Sequence, residues 1–505
     1  MRTVFVLMDS LNRHALSCYG GEIDTPNFER LASHSVQFER HYTGSLPCMP
    51  ARRDLQTGRL SFPHRSWGPL EPFDNSFSQI LSRDGVHTHL ITDHFHYFED
   101  GGSGYHTRYD TWEFIRGQEY DNWKAKVSPP IQDYKSRYSK HSYDPVAKPR
   151  RVQHLINREY MAVEEDQPTP RCIAAALEFL NDNRGADDWL LQLELFDPHE
   201  PFFAPKRFRK QGDSNYTGHI MDWPDYKRVT EAPEEIAELR ANYAALVRMC
   251  DYYLGVLLDY FDEYDLWDDT ALILTTDHGF LLSEHEWWGK CRMPYYEEIV
   301  HIPLFLYHPE KTELIGTHNE ALTQTGDIMP TILDIYGCNI PSEVTATSLM
   351  QLLHEPLQSR IVATGIFGGP IGVTDGQYMM FHYPPDVLGE GLYEYTLNPQ
   401  HMREPFTSAE MATANMVPAF NFTKGMPLMK IAALKEAMRV PNHDGQTFQD
   451  QGFALYDLFD DPNQKSPIRD AVVESRLYAG LLDIFREIDA PQESYTWYGL
   501  KASTG

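Results

Sequence analysis

The stretch Met1-Arg2-Thr3-Val4-Phe5-Val6-Leu7-Met8-Asp9 opens the chain. From Val4 to Met8 apolar residues follow one another without the alternation of a half-exposed strand, so both faces of this segment have to be covered. A strand buried on both faces belongs in a parallel sheet sandwiched between helices, and such sheets hold their ligands at the carboxyl ends of the strands. Asp9 stands at that end. Similar apolar runs recur at 88–91, 189–196, 271–275 and 302–307, and helical patterns lie between them at 170–180, 233–260 and 328–336. This alternation predicts an α/β fold: a large, doubly wound, mostly parallel sheet flanked by helices, extending to about Gly337.

After residue 355 the pattern changes. Short runs at 361–364, 371–374 and 378–381, separated by Gly-Gly-Pro and Asp-Gly turns, predict a small antiparallel sheet. The expected division is therefore a catalytic domain over 1–355 and a C-terminal subdomain over 356–505, closed by Leu455-Tyr456-Asp457-Leu458 and a helix over 475–488. Residues 384–445 read as irregular. Within the first domain, 105–167 is rich in tyrosine, lysine and proline and too long for an ordinary connection, which predicts a lid or substrate-facing insertion.

Composition limits the partners. A formal net charge of −29 over 505 residues argues against nucleic acid or an acidic membrane surface, since both need basic protein. Six cysteines, Cys18, Cys48, Cys172, Cys250, Cys291 and Cys338, are widely spread without paired spacing, as in a reducing compartment. The opening apolar run is too short for a secretory signal, and no segment reaches membrane-spanning length, so the expectation is a cytoplasmic protein.

Two strand ends carry matching chemistry. Asp9 follows the first apolar run, and Asp277-His278-Gly279 follows the run at 271–275. Two carboxylates and an imidazole at one sheet edge suit a divalent cation. Between them lies Cys48-Met49-Pro50-Ala51-Arg52, continued by Leu55-Gln56-Thr57-Gly58-Arg59. Prolines flank Cys48, while Arg52, Arg53 and Arg59 follow within the first turns of a helix, an arrangement suited to a tetrahedral oxyanion. Further on stand Asp197-Pro198-His199-Glu200-Pro201 and Trp288-Gly289-Lys290.

In this order the motifs resemble the type I sulfatases of the alkaline phosphatase superfamily, a family that includes phosphonate monoester hydrolases. The Cys-x-Pro-x-Arg run is similar to the sequence that a formylglycine-generating enzyme recognises when it oxidises the cysteine. The resemblance implies a formylglycine nucleophile at Cys48 and a sulfo-enzyme intermediate. It implies metal ligation by Asp9, Cys48, Asp277 and His278, with Ca2+, Mn2+ or Mg2+ as the cation. It also implies catalytic roles for Cys48, Arg52, His199 and Lys290, with Lys290 or His199 protonating the departing alcohol. Ser10 stands where many sulfatases have a second acidic or amide ligand, and Ser10 or Asn12 is the candidate to supply that oxygen. In the second signature, Asp93 stands where a lysine is usual, and His94 and His96 are the expected substrate-binding replacements. The closing Leu-Tyr-Asp-Leu-x-x-Asp-Pro resembles residues 455–462.

The expected activity is hydrolysis of a small anionic sulfate ester. The alternatives are a phosphonate monoester or phosphodiester hydrolase with the same site, and a non-catalytic anion- or metal-binding homologue. The aromatic insertions suit substrate enclosure or contacts in a homo-oligomer.

Overall fold

The computed structural model describes residues 1–140, 142–291, 294–353, 360–434 and 452–501. Eight strands form the main sheet: β1 (Arg2–Met8), β2 (Val36–Tyr42), β3 (His87–Thr92), β4 (Thr111–Phe114), β5 (Trp189–Leu195), β6 (Thr270–Thr275), β7 (His301–Tyr307) and β8 (His318–Gln324). Their spatial order is β8-β2-β7-β6-β1-β5-β3-β4. β1 lies in the interior and pairs in parallel with β5 and β6, Val4 opposite Leu191 and Leu272.

The unbroken apolar run of β1 is explained by what covers it. Val4, Val6 and Met8 enter one core with Leu246, Leu254 and Leu257 of the long helix Pro233–Glu263. Phe5 and Leu7 enter the opposite core with Met49 and Leu55 of the helix Cys48–Thr57 and Ile332 of Ile328–Ile335. Successive side chains point to opposite faces, so helices on both sides demand an apolar residue at every position.

The expected run at 302–307 is β7, but it runs antiparallel to both β6 and β2. Continuous apolarity reports burial on two faces and carries no information on direction. Three strands were missed: β2 and β8 are interrupted by charged and polar residues near one margin of the sheet, and β4 is an exposed edge of four residues.

The small sheet has the order Ala454–Asp457, Tyr378–His382, Ile371–Thr374, Val362–Ile366, Ser45–Leu46. It is antiparallel except for its last pairing, Gly365 with Ser45 and Ile366 with Leu46. The C-terminal sheet thus holds the two residues that lead into Cys48. The expected boundary at 355 falls among residues outside the described set. The segment expected to be irregular contains a three-stranded sheet, Tyr393–Thr396, Leu428–Ala432 and Asn415–Val417, whose strands of three to five residues are too short for a readable period; its last part, 435–445, lies outside the described residues. The closing helix runs Ala471–Glu487. In the 105–167 insertion, β4 extends the sheet and the helices Ile131–Arg137 and Pro149–Arg158 follow.

No helix among the described residues is long and apolar enough to cross a membrane. None of the six cysteines forms a disulfide.

Candidate active site at the carboxyl edge of the sheet

Asp9 leaves β1 and Asp277 leaves β6, its direct neighbour, so the two carboxylates meet at the carboxyl edge. Cys48 is the first residue of a helix buried along its whole length, Cys48–Thr57. Its Sγ lies 3.2 Å from His278 Nε2. One donor atom from each of Asp9, Cys48, Asp277 and His278 falls within 4.8 Å of the others, and all four residues are buried.

Arg52, one helical turn after Cys48, ties this cluster together. Its Nε donates to Glu194 Oε1 at 2.7 Å, one Nη to Asp277 Oδ2 at 2.6 Å and to the Cys48 carbonyl at 3.1 Å, and the other Nη to Asp9 Oδ2 at 2.9 Å. Four of its five N–H groups are thereby used, and the side chain is 1% exposed. Sequence analysis placed Arg52 with Arg53 and Arg59 in an anion site. Arg53 instead pairs with Asp74 at 2.8 Å, and Arg59 donates to the carbonyls of Glu343 and Ile488 and lies over the Phe422 ring. Only Arg52 faces the site, and it stands behind the carboxylates, not on the cavity wall.

Glu194 was also missed, although a charged residue inside the apolar run of β5 was a visible signal. It accepts from Arg52 and from the Tyr97 hydroxyl at 2.8 Å. Asn12 is no free donor: its amide brackets Phe280, accepting from the backbone N–H at 2.6 Å and donating to the carbonyl at 2.8 Å, which fixes the Asp277-His278-Gly279 turn against the end of β1. Ser10 donates to Asp9 Oδ1 at 2.8 Å and receives the Lys290 ammonium at 3.0 Å. Lys290 Nζ also stands 3.4 Å from Cys48 Sγ.

The electrostatics follow from this crowding. Burial pushes the Asp9 carboxyl up, but Lys290 and Arg52 outweigh it and hold it well below the usual range. Burial works against charge on Lys290 too, yet Cys48, Glu200, Asp9 and Asp277 hold its pKa above the ordinary value. Burial pushes the Cys48 thiol well up, with Asp9 adding to the shift, so an unmodified Cys48 stays a protonated thiol. Burial lowers His199 to about 4, which leaves it neutral at neutral pH.

The residues present fit a divalent cation. Asp9, Asp277 and Glu194 surround Arg52, and the two aspartates with the His278 imidazole offer the mixed oxygen and nitrogen donors that a divalent cation takes.

A cavity of about 440 Å³ opens over Cys48, His199 and Lys290. Its walls come from the carboxyl edge, from Glu119, Tyr120, Lys148 and Arg151 of the insertion, and from Ile366, Phe367 and Arg403 of the C-terminal region. The insertion thus supplies part of the wall of this cavity. His96 lines it, its Nδ1 bonded to Glu99 Oε2 at 2.6 Å. His94 is not on the wall: its ring packs among His96, Tyr97 and Phe196, and neither ring nitrogen has a hydrogen-bond partner among the described residues. Asp93 accepts from the Phe196 N–H at 2.7 Å and from Gln118 at 3.1 Å, a strand-end clamp in place of an anion-gripping lysine.

A mostly parallel sheet thus carries a cluster of four candidate metal ligands and a cavity at its carboxyl edge. The family model described as Sulfatase matches residues 2–338, and the chain belongs to that family. It is 25% identical over 471 residues to the N-acetylglucosamine-6-O-sulfatase of Bacteroides thetaiotaomicron, covering 81% of this chain and 83% of that one. The solved structure of a protein bound to its substrate D-glucosamine-2-N,6-O-disulfate matches at a TM-score of 0.64, 16% identity, over 98% of this chain and 99% of the other. The phosphonate monoester hydrolase of Agrobacterium radiobacter matches at 0.63, 17% identity, over 96% of each. At these identities the two structures speak for the fold.

Proposed function

We propose that this sulfuric ester hydrolase cleaves its substrate through a formylglycine at position 48. The observation that carries the reading is the contact of Cys48 Sγ with both His278 and Lys290 at the mouth of a carboxylate cluster. In the mature protein Sγ stands for a hydroxyl oxygen of the hydrated aldehyde. The divalent cation, Ca2+, Mn2+ or Mg2+, would be held by Asp9, Asp277, His278 and residue 48, and would supply Lewis-acid polarisation of the reacting oxygens. Arg52 orients the two aspartates and Glu194, and Lys290 places a fixed positive charge beside the transferring group, where preorganised charge is worth most. His199, neutral and oriented through Nδ1 by the Glu200 carbonyl, offers Nε2 to the bound ester. The residue 48 hydroxyl loses its proton and attacks sulfur, the S–O bond to the alcohol breaks as the leaving oxygen takes a proton from Lys290 or His199, and the second hydroxyl of the hydrate then gives up its proton as the C–O bond to sulfate breaks, restoring the aldehyde.

The test is turnover of 4-nitrophenyl sulfate by protein matured with a formylglycine-generating enzyme, before and after chelation. Expected is activity lost to chelator, regained with a divalent cation and absent in Cys48→Ala; cation-independent turnover, or turnover by Cys48→Ala, contradicts the reading. A second reading, phosphonate monoester or phosphodiester hydrolysis, is favoured by one observation: Asp93 stands where a sulfate-gripping lysine is usual. Preference for a phenylphosphonate ester or bis(4-nitrophenyl) phosphate over the sulfate at equal enzyme would select it. Small-molecule ester binding inside a homo-oligomer in the cytoplasm completes the proposal.

A further inference from the structure

The orientation of His199 is held by more than the backbone. Its Nδ1 donates to the Glu200 carbonyl at 2.5 Å and lies 3.2 Å from Oε2 of the same residue's carboxylate. With Nδ1 turned to both acceptors of one residue, Nε2 is the nitrogen left for the cavity, which His199 and Glu200 both line. A glutamate side chain is flexible, and it holds a ring only if it is itself held. The Tyr226 hydroxyl does this, donating to Glu200 Oε1.

Tyr226 is fixed in turn from three sides. Its ring lies on Gly289, where φ is +114° and a Cβ would come within 2.7–2.9 Å of Tyr226 Cγ, Cδ1 and Cβ, so the close approach requires glycine. The ring also meets Phe280 edge-on at 5.7 Å, the residue that Asn12 brackets. On one side of it in the chain, Asp225 pairs with Lys148 and with Arg151 at 3.1 Å; on the other, the Lys227 carbonyl accepts from the Trp288 N–H at 2.8 Å. We propose that Tyr226 and Glu200 are positioning residues: the hydroxyl locks the carboxylate, and the carboxylate locks the imidazole with Nε2 toward the bound ester. The inference rests on the hydrolase reading above and adds to it the parts that aim His199. Misplacing a reacting group by about 1 Å is enough to cost on the order of 100-fold in rate.

The test is a double-mutant cycle on 4-nitrophenyl sulfate with Tyr226→Phe and His199→Ala. Turnover by the wild type tests the hydrolase reading by itself; the cycle reads the relay. Tyr226→Phe keeps the ring on Gly289 and Phe280 and removes only the hydroxyl. Expected is a fall in kcat of about 10- to 100-fold with KM changed less than about 3-fold. In the His199→Ala background the same substitution should change kcat less than about 2-fold, because there is no ring left to aim. An equal further loss in that background, or no loss from Tyr226→Phe alone, overturns the proposal. Should Tyr226→Phe fail to fold, Glu200→Gln carries the same cycle with the same expectation, since its amide has one acceptor oxygen where the carboxylate uses two.

Discussion

At the scale of single residues the site depends on Arg52. Its guanidinium compensates three buried carboxylates at once, and removing one partner of such a buried set costs about 3–5 kcal/mol because the remaining charges are left unpaired. Arg52→Lys keeps the charge but loses the planar fork, so at most part of the network survives. Expected is a destabilisation of about 2–3 kcal/mol in a thermal melt and a fall in kcat/KM of roughly 100-fold, since Asp9 and Asp277 are no longer oriented together. Near wild-type activity in a stable Arg52→Lys protein would show that the carboxylates orient themselves. Most of this cluster was legible in the sequence: Asp9, Asp277 and His278 by their strand ends, Cys48 and Arg52 by their motif. Glu194 was marked in the sequence only by its charge inside an apolar run, and its partners Arg52 and Tyr97 appear only once the fold brings them together.

At the scale of elements the helix Cys48–Thr57 is the part that presents both nucleophile and arginine. It ends at Gly58 with φ +65°, whose N–H closes on the Asp54 carbonyl at 2.8 Å. A Cβ there would lie 2.8 Å from a methyl of Val344. Gly58→Ala therefore meets both a left-handed backbone and a clash, for about 1–2 kcal/mol. The melt should shift accordingly while kcat changes less than 2-fold, since the reacting end of the helix is three turns away; a large drop in kcat with an unchanged melt would contradict this division. Helix and strand positions were readable where periodicity was long. The direction of β7 and the polar strands β2 and β8 were not, because pairing partners distant in sequence decide them.

At the scale of the whole molecule, buried neutral histidines set the acid limit. Burial lowers His41 and His64 to about 3 each, and neither is among the residues of the metal-ligand cluster or the cavity wall. In the unfolded chain each takes up a proton below about pH 6.5, whereas the native state cannot. Stability contributed by keeping them neutral is thus complete above pH 6.5 and lost as pH falls toward 3, at up to about 1.4 kcal/mol per pH unit for each. The melting temperature should fall steadily from pH 6.5 to 4.5; a flat profile would show that these rings are protonated in the native state. The two sheets also act as one device, since the C-terminal sheet pairs with Ser45–Leu46 and so delivers Cys48 to the edge of the main sheet. Whether that delivered residue becomes the nucleophile is tested most directly by peptide mass spectrometry across position 48, on protein co-produced with an active formylglycine-generating enzyme. Formylglycine at position 48, rising in proportion to specific activity, is the predicted result; an unmodified thiol in fully active protein would contradict the mechanism.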